Sequence, residues 1–270
     1  MSTPLPQSFV LCAALCAAAG CATSRDLLSD CKPGRTLVIS LGGVGGETVG
    51  TDFLRDGLEG AGVDCRVVAW PWSRGLAGLY IHDLWDVEDN RRRAGELAQA
   101  IDEFRSRHTD RPILLVGHSG GTAIAVFTLE ALSPGIMVDQ VILLAPALSG
   151  QYNLAPALRH VRQRLWSTCS PVDAVILGAG TRLLGTMDRR YEPAAGRDGL
   201  RLPDHLSAED RTEYHKVYQA RWSWPWVFDG HYGGHFGWST PWFARQYLAP
   251  ILVGGQAPDI FEPLIGQETP

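Results

Sequence analysis

Residues 114–123 read LLVGHSGGTA, an apolar run that leads into Gly117, His118, Ser119 and two further glycines. The apolar run, from residue 112 to 116, predicts a buried strand, and residues 120–132 predict a helix directly after the turn. The glycines on both sides of Ser119 indicate a turn too tight for neighbouring side chains. This stretch therefore predicts a strand, a sharp turn that presents one hydroxyl, and a helix.

The same alternation extends outward in both directions from this turn. Strands are predicted at residues 35–41, 66–70, 112–116, 140–145 and 164–170, and helices at 47–60, 87–107, 120–132, 174–184 and 239–252. Strands that alternate with helices predict an α/β fold, a mostly parallel sheet with helices on both faces. The expected organisation is a linker over 22–34, one domain over 35–253 and a tail over 254–270. Residues 186–228 are expected to be an insertion near the carboxyl-terminal edge of the sheet, and a cap is one form that it could take.

The N-terminus carries a short apolar segment, FVLCAALCAAA at residues 9–19, followed by Gly20 and Cys21. Its length is typical of a signal peptide and is short for a transmembrane helix. The residues before Cys21 resemble the lipobox of bacterial lipoproteins, in which the cysteine is lipidated. Residues 1–21 are therefore predicted to be a signal peptide that exports the protein. The mature protein is then either a membrane-anchored lipoprotein, lipidated at Cys21, or, after cleavage at an Ala-x-Ala site, a periplasmic or secreted protein.

Composition excludes some classes of partner. The net charge of −5 gives no electrostatic reason to expect nucleic-acid binding, and the cluster Arg91-Arg92-Arg93 is typical of a solvated helix face. No cluster of histidines, cysteines and carboxylates has metal-ligand spacing, so no metal or organic cofactor is expected. In an oxidising compartment Cys31 and Cys65 could pair, because they precede neighbouring strands, and Cys169 would stay unpaired.

The turn Gly117-His118-Ser119-Gly120-Gly121 matches the pattern G-x-S-x-G between a predicted strand and a predicted helix. On these residues the chain, from about residue 35 to about 253, resembles the α/β-hydrolase superfamily in its lipase and esterase branch. The resemblance implies that Ser119 is a nucleophile, followed along the chain by an acid and then by a histidine.

The resemblance also points to the partners of Ser119. His235 lies in the glycine-rich turn before the last predicted helix, where the family keeps its catalytic histidine, and His231 is the competitor. Asp173 follows the strand at 164–170 at the position of the family's acid. Asp188 is its rival, since its loop could return to the same place.

Acyl transfer also needs two backbone N–H groups aimed at the oxygen that becomes negatively charged. The resemblance assigns one to Gly120 and the other to the loop Gly42-Gly43-Val44, with Val44 preferred and Gly43 as the alternative. A glycine-rich loop can also bind phosphate, but the lysine of a P-loop is absent here.

Nine tryptophans are present, and Trp70, Trp72 and Trp238 fall in loops expected to border the nucleophile. They predict an apolar or aromatic substrate pocket. The expected function is hydrolysis of a small-molecule or lipid carboxylic ester through an acyl-enzyme on Ser119. Acyl transfer, thioester cleavage and amide cleavage use the same triad and stay open. The alternative outside enzymes is a membrane-tethered binding module that keeps the fold without catalysis.

Overall fold

The computed structural model describes residue 28 and residues 35–46, 49–75, 80–173, 175–253 and 258–266. The predicted signal peptide with Cys21 lies outside these residues, as does Cys31, so export, lipidation and the pairing of Cys31 stay predictions. Cys65 and Cys169 are buried thiols. Burial raises the pKa of each to about 11, and Arg35 and Arg221 respectively lower it by a smaller amount.

The centre of the molecule is a seven-stranded sheet in the order β2-β1-β3-β4-β5-β6-β7. Its strands are β1 (Thr36–Leu41), β2 (Cys65–Ala69), β3 (Ile113–His118), β4 (Val138–Leu144), β5 (Val161–Cys169), β6 (Val217–Arg221) and β7 (Glu262–Pro263). The first six pair in parallel, and β7 pairs antiparallel with β6. Every residue of β3 and β4 is buried, as expected for central parallel strands. The mostly parallel α/β sheet predicted from the alternation is therefore confirmed.

Helices cover both faces of this sheet, as predicted. The helices between the first four strands are α1 (Val49–Gly60), α2 (Tyr80–Trp85), α3 (Val87–Arg107) and α4 (Gly120–Ala131). The shorter helices that follow are α5 (Ala155–Leu158), α6 (Thr181–Leu184), α7 (Ala195–Asp198), α8 (Ala208–Glu213), α9 (Pro241–Phe243) and α10 (Ala249–Leu252). On one face α3 packs against α4, and elsewhere α1 packs against the C-terminal segment that begins with α9. No helix of the described residues is long and apolar enough to cross a membrane.

The C-terminal third departs most from the sequence-based expectation. The predicted insertion 186–228 contains β6, a strand of the central sheet, and the predicted tail contributes β7 at the edge. Both strands escaped prediction because they are short, and only Val217 and Ala220 of β6 are buried, which leaves no clear alternation. Helix α2 was likewise not predicted.

Two predicted helices are interrupted. The helix expected at 174–184 is a π-helical turn over Val175–Gly180 followed by α6, and it contains Gly178 and Gly180. The helix expected at 239–252 widens into a π-helical turn over Ala244–Leu248 before Pro250. Proline has no N–H to donate to the preceding turn, so the wider turn accommodates the lost hydrogen bond.

Candidate active site

Ser119 occupies a strained turn between β3 and α4. Its φ is 53° and its ψ is −123°, a combination that side-chain-bearing residues rarely adopt. The backbone N–H of Ser119 donates to the carbonyl of Leu144, 3.0 Å away, which anchors the turn to β4. A methyl group on Gly117 would lie 2.7 Å from Thr122 Cα, and one on Gly121 would lie 2.1 Å from the Leu41 carbonyl oxygen. Only glycine fits at these two positions, and the turn holds Ser119 at the carboxyl end of the sheet.

A histidine and a carboxylate come together at the same end of the sheet. His235 Nδ1 lies 2.6 Å from Asp173 Oδ2, and both side chains are almost completely buried. Since a carboxylate accepts the Nδ1 proton, the neutral ring leaves Nε2 unprotonated and able to accept a proton. Asp173 follows β5, as its position in the sequence predicted. Ser170 Oγ donates to the carbonyl of Gly233 at 2.6 Å and ties the end of β5 to the loop of His235.

His118, between Gly117 and Ser119, links the serine turn to the histidine loop. Its Nε2 donates to the backbone carbonyl of His235 at 3.1 Å, and the two rings lie 4.9 Å apart between centroids. The ring of Phe236 also lies beside that of His118, with 5.6 Å between the two ring centroids. Sequence reasoning missed this residue, because it occupies the first x position of G-x-S-x-G, which the pattern leaves unspecified and which gave no signal of its own.

The two rival residues have other partners. Asp188 Oδ1 accepts hydrogen bonds from the backbone of Ser149 at 2.8 Å and from the hydroxyl of Thr186 at 2.7 Å, and so it organises its own loop. His231 is fully buried, and its Nδ1 accepts the N–H of Gly233 at 3.1 Å. Burial lowers the pKa of His231 to about 4, although its own backbone raises it slightly. His231 is therefore an uncharged packing residue, and Asp173 rather than Asp188 lies on His235.

The two predicted N–H donors, Gly120 and Val44, lie next to each other beside the serine turn. A methyl group on Gly120 would lie 2.8 Å from Val44 Cγ1 and 3.5 Å from Val44 N, so these two residues are adjacent. A methyl group on Gly43 would lie 4.0 Å from Ser119 Oγ. Gly120 is the first residue of α4, where backbone N–H groups have no partner within the helix. The loop after β1 and the start of α4 thus bring their backbone close to the serine hydroxyl.

An apolar cavity of about 160 Å³ opens beside Ser119 and Gly120. Most of its wall is aliphatic and comes from four separate parts of the chain. The lining residues are Val44, Leu84, Ala147, Ile176, Leu177, Thr181, Leu184 and Met187, with Gly180 and Gly185. Its composition suits an uncharged hydrocarbon group placed next to Ser119.

The three tryptophans predicted to bind substrate do not line this cavity. Trp70 and Trp72 border a separate space of about 120 Å³ beside Gly42 and Gly43, and the indole N–H of Trp72 donates to the Gly42 carbonyl at 2.9 Å. Trp238 is fully buried, with its ring 4.4 Å from that of His231. A methyl group on Gly120 would lie 3.4 Å from the ring of Trp72, so this tryptophan lies close to the serine turn without lining the aliphatic cavity. Substrate binding by the three tryptophans stays a prediction.

In the part of the chain that the structure describes, no group of three or more histidines, cysteines and carboxylates could hold a metal ion. The arginine cluster of α3 is engaged with acidic side chains. Arg91 pairs with Glu130 at 2.8 Å, and Arg93 pairs with Asp89 at 2.7 Å.

Comparison with known proteins found one matching family model and several solved structures of similar fold. The family model Hydrolase_4, described as serine aminopeptidase S33, matches residues 81–201. Lipase B of Aspergillus fumigatus is a similar solved structure, with 15% identity and a TM-score of 0.48 over 82% of this chain, which spans about half (53%) of the lipase chain. A carboxylesterase from Mesorhizobium loti has 15% identity and a TM-score of 0.42 over 81% of this chain and 90% of its own. A poly(3-hydroxybutyrate) depolymerase, LpqC from Bordetella parapertussis, has 15% identity and a TM-score of 0.44, over 85% and 82% of the two chains. No curated protein matches the sequence significantly.

Proposed function

We propose that the chain is a serine hydrolase of the α/β-hydrolase type that cleaves carboxylic esters through an acyl-enzyme on Ser119. The mostly parallel sheet and the match of residues 81–201 to the Hydrolase_4 model support this proposal. The observation that carries the proposal is the buried contact of 2.6 Å between His235 and Asp173, held against the residue that precedes Ser119. A strained serine, a histidine of fixed tautomer and two adjacent backbone donors are what acyl transfer needs. A hydrolase fold alone does not require these groups to meet.

In the first half of the reaction, Ser119 Oγ attacks the ester carbonyl carbon while His235 Nε2 takes the hydroxyl proton. The Asp173 carboxylate stabilises the imidazolium that forms. The carbonyl oxygen becomes an oxyanion, which accepts hydrogen bonds from the N–H groups of Gly120 and Val44. When the C–O bond to the alcohol breaks, His235 returns the proton to the departing alkoxide, and the acyl group remains on Ser119.

In the second half, a water molecule replaces the alcohol. His235 takes a proton from the water as its oxygen attacks the acyl carbon, and the same two N–H groups receive the second oxyanion. Collapse of this intermediate breaks the bond to Ser119 Oγ, which recovers its proton from His235. The products are the carboxylic acid and the free enzyme. Acyl transfer would differ only in the acceptor that attacks at this stage.

The aliphatic cavity supports an apolar acyl group as the part of the substrate that is recognised. A water molecule takes up about 30 Å³ in the liquid, so about 160 Å³ accommodates a chain of roughly five or six heavy atoms. A charged acyl group would lose its hydration there without gaining a partner, since the lining offers no charged side chain. We therefore expect esters of short to medium aliphatic acids to be the preferred substrates.

The test is active-site labelling together with ester hydrolysis. Wild-type protein should react covalently with a fluorophosphonate probe and hydrolyse p-nitrophenyl butyrate and hexanoate, whereas Ser119→Ala should do neither. Ser106→Ala, which removes an exposed hydroxyl from α3, is the matched control and should behave as wild type. A folded wild-type protein that neither labels nor turns over any ester, thioester or amide would indicate a binding module and end the proposal. Adding an alcohol acceptor separates hydrolysis from transfer, because a transferase would form a new ester.

A further inference from the structure

Side chains from the segment after β2 form hydrogen bonds with both ends of the loop that carries Val44. At one end the indole N–H of Trp72 donates to the Gly42 carbonyl at 2.9 Å. At the other end the N–H of Gly45 donates to Asp83 Oδ2 at 3.0 Å. Val44 lies between these two points, so the orientation of its N–H depends on both contacts.

Asp83 is an unusual residue for such a contact, because its carboxylate is only 2% exposed and belongs to the short helix α2. Three donors converge on it. Besides Gly45, they are the hydroxyl of Ser73 and the backbone N–H of Arg74, the latter at 3.2 Å. A buried carboxylate is stable only when its oxygens accept several hydrogen bonds, and charge-assisted bonds of this kind are short and strong.

Further contacts hold the carboxylate in place. The side-chain amide of Asn90 donates to the backbone carbonyl of Asp83 at 2.7 Å. The guanidinium of Arg74 pairs with Asp89 at 2.7 Å, and that of Arg93 reaches the Trp72 carbonyl at 2.9 Å. Burial raises the pKa of Asp89, but hydrogen bonds from Arg93, Arg92 and Arg74 lower it further, to a value far below the ordinary one. The carboxylate of Asp89, at the start of α3, therefore stays ionised at neutral pH and holds Arg74 through an ion pair.

The loop needs such support because it is rich in glycine. Gly45 and Gly46 have φ values of 81° and 75°. Glycine adopts positive φ values easily, but it adopts negative ones just as easily. Without external contacts the sequence Gly42-Gly43-Val44-Gly45-Gly46 would sample many peptide orientations. A hydrogen-bond donor stabilises an oxyanion only when it is oriented before the reaction, and a displacement of about 1 Å can cost about 100-fold in rate.

We propose that Asp83 is a positioning residue that fixes the loop after β1 so that the N–H of Val44 faces the oxyanion formed at Ser119. The inference rests on the proposed function, since it assigns a role in that reaction. Asp83 touches neither the substrate nor Ser119. It acts through the N–H of Gly45, the neighbour of Val44.

The variants that test this role are Asp83→Ala, Asp83→Asn and Ser73→Ala. Alanine removes every contact of the carboxylate, asparagine keeps one acceptor oxygen in nearly the same volume, and Ser73→Ala removes one of the three donors and leaves Asp83 intact. Asp139→Asn is the matched control, because this buried carboxylate also accepts a backbone N–H, from Ile113 at 2.8 Å, but lies near the opposite end of β3 and β4. Asp139→Asn should lower the melting temperature and leave kcat within about twofold of wild type.

We expect kcat per titrated active site to fall about 100-fold in Asp83→Ala, about 10-fold in Asp83→Asn and less in Ser73→Ala, because one oriented donor contributes about 100- to 1000-fold. KM should change little, and the acidic limb of the kcat/KM pH profile should not shift, because His235 and Asp173 are untouched. Amide hydrogen exchange over residues 42–46 should accelerate in the Asp83 variants and not in Asp139→Asn. A merely structural role would lower the melting temperature without changing kcat or the exchange of this loop.

Two results would overturn the inference, and both differ from failure of the proposed function. If the folded Asp83→Ala variant keeps wild-type kcat, or if exchange over residues 42–46 is unchanged in the Asp83 variants, Asp83 does not position the loop. If instead wild type itself neither labels nor hydrolyses esters, the proposed function fails, and the exchange measurement still reports whether Asp83 holds the loop.

Discussion

At the scale of single residues, the same side-chain type takes different roles according to its contacts. Asp173 and Asp188 both follow the serine, and both lie in loops. Asp173 meets an imidazole at 2.6 Å, whereas Asp188 accepts hydrogen bonds from Ser149 and Thr186. The partner of each carboxylate, and not its place in the chain, separates the acid that we propose for the triad from a loop-forming residue.

Replacing Asp173 by asparagine should lower kcat by about 10⁴-fold. The amide favours the wrong tautomer of His235 and cannot stabilise the imidazolium. Asp188→Asn should change kcat less than about threefold, because its partners belong to its own loop. Steady-state kinetics with p-nitrophenyl butyrate on both variants provides the comparison. A large loss in Asp188→Asn with little loss in Asp173→Asn would reverse the assignment of the acid.

His231 predicts a pH dependence of stability. Its pKa in the folded state is about 4, below the ordinary value of 6.5. Between these two values the unfolded chain binds a proton that the folded protein does not. The stability that comes from burying the neutral ring of His231 is therefore fully present above about pH 6.5. As the pH falls towards 4, the free energy of unfolding decreases by at most about 3 kcal/mol.

Thermal unfolding at pH 7, 5.5 and 4 should show this loss in wild type and a smaller loss in His231→Phe. His205→Gln, which alters an exposed histidine, should keep the wild-type slope. Equal slopes for wild type and His231→Phe would contradict the assignment of His231 as a buried neutral ring, and the NMR titration of its ring protons would measure the pKa directly.

At the scale of the elements, β3, its turn and α4 form one unit in which the glycines and Ser119 have different roles. Gly117 and Gly121 leave room for backbone that passes within contact distance, and the positive φ of Ser119 stores strain. The sequence signal was strong here because it consists of local backbone requirements. It was weak for β6, where burial depends on β5 and β7 and the five residues show no strong pattern of their own.

Gly121→Ala should therefore destabilise the protein severely. The added methyl group would lie 2.1 Å from the Leu41 carbonyl oxygen and 2.4 Å from that of Gly42, and neither backbone can move without shifting β1. Gly95→Ala in α3 is the matched control, because a methyl group there meets nothing within 4 Å. It should raise the free energy of unfolding by about 0.5–1 kcal/mol. Denaturant unfolding of both variants would check this, and a Gly121→Ala protein of wild-type stability would contradict the close approach.

At the scale of the whole molecule, the cavity beside Ser119 exists only because distant segments meet. Val44 follows β1, Leu84 belongs to α2, Ala147 follows β4, and Met187 lies beyond α6. The backbone N–H of Met187 donates to the carbonyl of Ala147 at 2.9 Å, which joins two of these walls. The size of this space sets the acyl group that we expect the enzyme to accept.

Opposite changes in this wall should shift the preferred chain length in opposite directions. Ala147→Leu fills part of the cavity, so the optimum in kcat/KM should move to shorter p-nitrophenyl esters. Met187→Ala enlarges it and should move the optimum to longer ones, at a stability cost of about 2–5 kcal/mol. Leu183→Ala alters an exposed residue of α6 outside the lining and should keep the wild-type profile. Unchanged profiles in both cavity variants would show that the acyl chain binds elsewhere.

The sequence by itself determined the alternating order of strands and helices, the turn at Ser119, the position of Asp173 after its strand and the position of His235 in the turn before the last predicted helix. Each of these depends on local requirements, such as hydrophobic periodicity, glycine in a tight turn, or the rule that the ends of parallel strands meet at one edge.

The tertiary structure alone decided that Asp173 and not Asp188 reaches His235, that His118 holds the histidine loop, that Asp83 supports the loop of Val44, and that the cavity wall is aliphatic. These features are contacts between segments far apart in the chain. Their free energy depends on which side chains the fold brings within a few ångströms, and no local pattern in the sequence records those distances.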